Sequence, residues 1–126
     1  MCMTTPIIWP LNDFALKAKL KDIDAVTGVI APLLTGTVTA FLATTNTPTA
    51  SAADPTLSVT AANLGLGAWL VFFDATILLP SLLDGLFAAT PPYCIIVYPS
   101  GIRAVVACAY QASRAPDYDL RAARRR

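Results

Sequence analysis

Six consecutive apolar residues, Ala68-Trp69-Leu70-Val71-Phe72-Phe73, constrain this chain more than any other stretch. A strand with no polar face is expected to be covered on both sides. After it, Leu79, Leu82, Leu83, Leu86 and Phe87 recur at i, i+3, i+4, i+7 and i+8, the stripe of a short helix over residues 80–89. Pro80 suits the first helical position, where its missing N–H is no loss, and Thr90-Pro91-Pro92 stops the helix. Residues 93–98 and 102–110 then predict a hairpin around Pro99-Ser100-Gly101, apolar on both faces and so central or covered. Placing Tyr98 opposite Ile102 sets Cys94 opposite Val106, not Cys108. Reduced, buried thiols are therefore expected rather than a disulfide.

The chain upstream supplies partners for this core. Phe14, Leu16, Ala18 and Leu20 alternate with Lys17, Lys19 and Lys21, the pattern of a half-buried strand whose lysines suit a sheet edge. Asp22, Asp24, Thr27 and Gly28 make a turn, followed by the short apolar piece Val29-Ile30-Ala31-Pro32-Leu33-Leu34. Residues 36–44 and 57–61 read as the arms of a long hairpin. The Thr-, Ala- and Pro-rich loop 44–56 between them has few groups to anchor it and is expected to be a mobile tip. Gly65-Leu66-Gly67 reads as a turn, since a strand and not a helix follows it.

Composition bounds what this fold can do. The chain has 126 residues, one domain by length, and a formal charge of +1 that gives no field for steering to nucleic acid or an anionic surface. All eight acids are Asp, which favours turns over helices and, with abundant Thr, Val and Pro, tilts the class toward β. Charged residues are 13% against 56% hydrophobic, whereas about a quarter charged is usual, so part of the surface is expected to be covered by a partner. No histidine is present, which removes Ser-His-Asp and Cys-His nucleophile systems and the commonest zinc nitrogen ligand. The pairs Asp22–Asp24 and Asp117–Asp119 sit in a loop and a tail, where water solvates both charges, and too few ligands surround Asp22 and Asp24 for calcium. No enzyme, cofactor or metal site is expected. Residues 64–89 are interrupted by Asp74, Pro80 and Asp84, so a membrane span is rejected, and the start of the chain lacks the basic and apolar regions of a secretory signal.

Three parts follow: an arm over 1–13, a sandwich over 14–111 and a tail over 112–126. The arm holds Ile7, Ile8, Trp9 and Leu11 between prolines and must dock on its own domain or on a neighbour, with Trp9 as its anchor. The tail is basic: Arg114, Arg121, Arg124, Arg125 and Arg126 outweigh Asp117 and Asp119. Three readings of it stand: contact with nucleic-acid phosphates, bidentate pairing with acidic patches on a protein partner, or a frayed solubilising tail.

Leu20-Lys21-Asp22-Ile23-Asp24-Ala25-Val26-Thr27-Gly28, then Gly36-Thr37-Val38-Thr39-Ala40-Phe41-Leu42, then Gly67-Ala68-Trp69-Leu70-Val71 give an Asp/Gly turn, a Val-Thr-Ala strand and a glycine–aromatic strand opening. In this order, across residues 14–110, the chain resembles small immunoglobulin-like β-sandwich proteins of tailed bacteriophages; the helix departs from a plain sandwich. The resemblance implies a mainly β, antiparallel sandwich and a non-enzymatic virion subunit, made in the host cytoplasm. Such a subunit decorates or cements a capsid, or belongs to the neck or tail. Its partners would be major capsid or neck and tail proteins and copies of itself, with no membrane and no direct nucleic-acid contact. Ile7, Ile8, Trp9, Leu11, Arg121, Arg124, Arg125 and Arg126 are the candidate partner-binding residues. The competing expectation is a cell-surface or glycan-binding module presenting loop 44–56.

Overall fold

The computed structural model describes residues 5–23 and 26–111. Over these residues the protein is mainly β, with antiparallel sheets and one α-helix. Strand β1 is Ile7–Ile8, β2 Phe14–Lys19, β3 Lys21–Ile23, β4 Ile30–Pro32, β5 Thr39–Ala43 and β6 Ser58–Thr60. Strand β7 is Ala62–Gly65 and β8 Ala68–Phe73. Helix α1 is Pro80–Phe87, and β9 Tyr93–Val97, β10 Arg103–Ala107 and β11 Ala109–Tyr110 complete the described chain. A three-stranded sheet runs β2-β8-β7 and a four-stranded sheet runs β10-β9-β5-β6. Their apolar faces contribute to one core that includes Phe14, Trp69, Val71, Phe73, Leu42 and Ile96.

Alternation decides the first sheet. Phe14, Leu16 and Ala18 lie opposite Phe73, Val71 and Trp69, so both strands aim the same parity inward. The other parity faces out, with Lys17 across from Leu70 and Lys19 across from Ala68. Strand β8 is therefore covered on one face only, contrary to the expectation from its unbroken apolar run, and Phe72 is 40% exposed. The run is central in its sheet, but nothing among the described residues forms a further layer outside it. Lys17 and Lys19 sit on the edge strand β2 as expected, whereas Lys21 falls on β3. The glycine pair behaves differently from the simple turn expected. Residues 62–65 pair with β8 through a bulge, which leaves only Leu66 and Gly67 at the tip.

The second sheet follows the expected register. Cys94 lies opposite Val106 on one side and Leu42 on the other, and both Cys94 and Cys108 are free and buried. Strand β5 pairs with β6 from Thr39↔Thr60 to Phe41↔Ser58, the long hairpin. Loop 44–56 is not a projecting tip. It folds back on the outer face of this sheet, where Ala50 is buried in a second apolar cluster with Phe41, Ala43 and Ile95. Ala53 N–H donates to the Leu42 carbonyl at 2.8 Å. Asp54 accepts from the Thr56 hydroxyl at 2.7 Å and its amide at 2.9 Å, which holds the Asp54 carboxyl below its ordinary value.

One end of the sandwich is closed by its own chain. Helix α1 starts at Pro80, and Leu83 and Phe87 are buried. Leu79, placed on the same stripe by spacing, is the extended cap residue and stays 44% exposed. The N-terminal arm docks here on its own domain. Strand β1 pairs in parallel with β11, Ile8 is fully buried, and Leu11 N–H reaches the Leu78 carbonyl at 2.8 Å. Phe87 packs against Tyr110 with ring centres 6.2 Å apart, and the Tyr110 hydroxyl donates to Asp84. Burial, then that bond and the carboxylate's charge, raise the Tyr110 pKa.

Candidate interaction surface

Among the described residues the opposite end is left open, and its apolar side chains face solvent. Strands β3 and β4 form a separate two-stranded hairpin that inserts between β2 and β5, with Ile23 opposite Ile30. Among the described residues no other strand or helix packs extensively on it. Its stem is locked all the same. Leu33 N–H donates to the Leu20 carbonyl and Leu20 N–H to the Gly67 carbonyl, both at 2.9 Å. The Trp69 indole donates to the Leu33 carbonyl and the Asn63 amide to the Leu34 carbonyl, also at 2.9 Å. Ser100 donates to Asp22 at 2.8 Å, tying the hairpin to the turn between β9 and β10.

Two glycines make this approach possible. A Cβ on Gly67 would come within 2.8 Å of Pro32, and one on Gly36 within 2.6 Å of Pro99. Both have positive φ, so any other residue would strain the backbone as well.

On this braced stem, Ile23, Val26, Val29, Ile30 and Leu34 are exposed, and Leu66 and Ile102 extend the patch from the neighbouring turns. Val26 is 93% exposed and Leu66 88%. Covering a side chain of this kind is worth about 1.5–3 kcal/mol when complete. An isolated two-stranded hairpin is marginal in water, so a partner that covers it also completes it.

Comparison with family models, with curated proteins and with solved structures found no match.

A second feature lies on the outer face of the four-stranded sheet. Arg103 donates through Nη1 to the Ala50 carbonyl at 2.6 Å, and its guanidinium carbon sits 5.6 Å from the Phe41 ring centre. It pins loop 44–56 against the sheet. A cleft of about 370 Å³ opens beside it, lined by Asn46, Thr47, Pro48, Ile95, Gly101, Arg103 and Val105.

The candidate residues of the arm and tail fare unevenly. Ile8 belongs to the protein's own core, so its side chain is not available to a partner. Ile7 is 44% exposed and Leu11 60%, while Trp9 is half-buried and already engaged within the chain. Arg121, Arg124, Arg125 and Arg126 lie outside the described residues, as does Asp24. The exposed hairpin was missed as a site. Its signal was Val29-Ile30-Ala31-Pro32-Leu33-Leu34, apolar without alternation and therefore without an evident inner face.

Burial pushes the Cys94 thiol up to about 12, with the nearby Cys108 adding to it, and burial pushes Cys108 to about 11. Thiolate nucleophiles are thus suppressed at both positions. Among the described residues no three His, Cys, Asp or Glu side chains gather as a metal site, and no helix is long and apolar enough to cross a membrane.

Proposed function

We propose that this protein is a non-enzymatic structural subunit of a bacteriophage virion, built as an immunoglobulin-like sandwich. It would decorate or cement the capsid, or else serve in the neck or tail. The observation that carries the reading is the open end: a braced hairpin holding uncharged, solvent-facing Val26, Val29 and Ile30 outside the core. Strand order supports the fold. A three-stranded β2-β8-β7 sheet with a four-stranded β10-β9-β5-β6 sheet follows the order of variable-type immunoglobulin sandwiches, with β3-β4 as an insertion. The mechanism is bridging. The hairpin buries itself on a neighbouring capsid, neck or tail protein or on another copy, and symmetric repetition multiplies a modest contact. Ile7 and Leu11 at the closed end, with the basic tail, supply a second contact.

The test uses particles banded from lysates of the producing host. The protein is expected to co-sediment with them, and the double change Val26→Asp with Ile30→Asp is expected to lower its copy number about tenfold while leaving the fold intact. A wild-type chain that stays wholly in the supernatant rejects the reading.

The second reading, a module that presents loop 44–56 to glycans, meets a loop lying on its own sheet. What that loop offers is the wall of a cleft, not a projecting tip.

A further inference from the structure

We propose that the cleft beside Arg103 binds a hydroxylated carboxylate of sugar-acid type, with the Arg103 guanidinium holding the carboxylate. The inference goes beyond the assembly reading and needs neither the apolar hairpin nor its partner. Arg103 is oriented on two sides, by the Ala50 carbonyl and by the Phe41 ring. Nη1 is engaged, and among the described residues the remaining N–H donors meet no acceptor and no carboxylate pairs with Arg103. A guanidinium fixed in this way presents its fork to a carboxylate with little ordering left to do.

The rest of the lining selects the ligand's body. The Asn46 amide and the Thr47 hydroxyl make no hydrogen bond to described residues and are available to ligand hydroxyls. Pro48 and Val105 give an apolar wall suited to the C–H face of a sugar ring, with the buried Ile95 behind it. At about 370 Å³ the cleft is at the small end of the ligand-pocket range, which suits one ring better than an extended chain. Gly101 forms the rim without a side chain to block entry.

Heteronuclear NMR on the full-length protein tests this. N-acetylneuraminic acid and glucuronate are titrated in turn, with glucose as the neutral control and a short peptide with a free C-terminal carboxylate as the competing source. At least one sugar acid is expected to give saturable shifts at the Arg103 Nε–H and at the Asn46, Thr47 and Gly101 amides, and glucose none. Arg103→Gln is expected to weaken binding about tenfold or more, the loss of a charge-assisted hydrogen-bond pair. Because Arg103 also pins the loop, the double change Asn46→Ala with Thr47→Ala serves as the second variant. Neither side chain supports the fold, so its spectrum should stay native while affinity falls several-fold. The proposal is overturned if neither acid gives saturable shifts or if glucose reproduces them. It is equally overturned if binding survives both variants, or if only the peptide binds.

Discussion

The two ends of this sandwich are built from similar residues and treated in opposite ways. At one end, α1, the N-terminal arm and Tyr110 fold over the strand ends, and Leu78, Leu83 and Phe87 are buried there. At the other, a hairpin stands outside the core, and its apolar Ile23, Val26, Val29 and Ile30 meet water. Hydrophobicity alone does not distinguish them. The difference is whether the chain supplies its own cover. A helix with a 3.6-residue stripe has one face to bury and finds the core. A two-stranded ribbon can bury at most one of its faces against its own domain, and here Asp22 and Ala31 share a half-buried face while Ile23 and Ile30 share the exposed one.

The sharpest way to break this contrast is truncation at each end. Leu83→Ala opens a cavity in the closed end and is expected to cost about 2–5 kcal/mol of stability. Ile30→Ala, 65% exposed in the wild type, is expected to cost about 0.5 kcal/mol or less. Denaturant melts of the two variants measure both. Equal losses would mean that the hairpin is packed on something in the isolated protein, and the open end would not be open.

The thiols sharpen the same contrast by pH, because both belong to the buried core. Cys108 N–H donates to the Pro92 carbonyl, just beyond α1, and Cys94 opposes Leu42 near the same end. Their folded values, about 12 and about 11, lie above the ordinary 9.0. Between those limits the unfolded chain has released thiol protons that the folded chain keeps, so the unfolded state binds fewer protons and stability falls as pH rises. Stability from this source is complete below pH 9.0 and is lost progressively toward about 12. Unfolding midpoints at pH 8 and pH 10.5 are expected to differ, and Cys94→Ala with Cys108→Ala is expected to reduce the difference. An unchanged pH slope in the double variant would show that the thiols are not sealed in.

How much of this was legible depended on whether a local pattern named its own partner. The hairpin register was readable because Pro99-Ser100-Gly101 fixes the turn, and Cys94 opposite Val106 follows by counting. Pro80 and the leucine stripe gave the helix within two residues at its end. The exposed face of Phe72 was not readable, since an apolar run cannot report whether a second layer exists outside it. The role of Arg103 was not readable for a related reason. Its acceptor, the Ala50 carbonyl, is a backbone group 53 residues away and leaves no trace in side-chain chemistry. Loop 44–56 reads as unanchored because alanine, buried here, carries no visible hydrophobic signature.

A substitution expected to stabilise the chain separates folding from contact at the open end most directly. Leu66 has φ 57 between Gly65 and Gly67, and its side chain is almost wholly exposed. A left-handed backbone costs a branched residue about 1–2 kcal/mol, and nothing in the fold returns that energy through burial. Leu66→Asn is expected to raise stability by up to about 1 kcal/mol, because asparagine tolerates this conformation and its side chain bonds locally. If the open end is a contact surface, the same change weakens association with particles even as it stabilises the isolated chain. A thermal melt and a co-sedimentation assay on one variant read the two signs independently. Stabilisation with undiminished association would remove Leu66 from the surface and confine the contact to the hairpin.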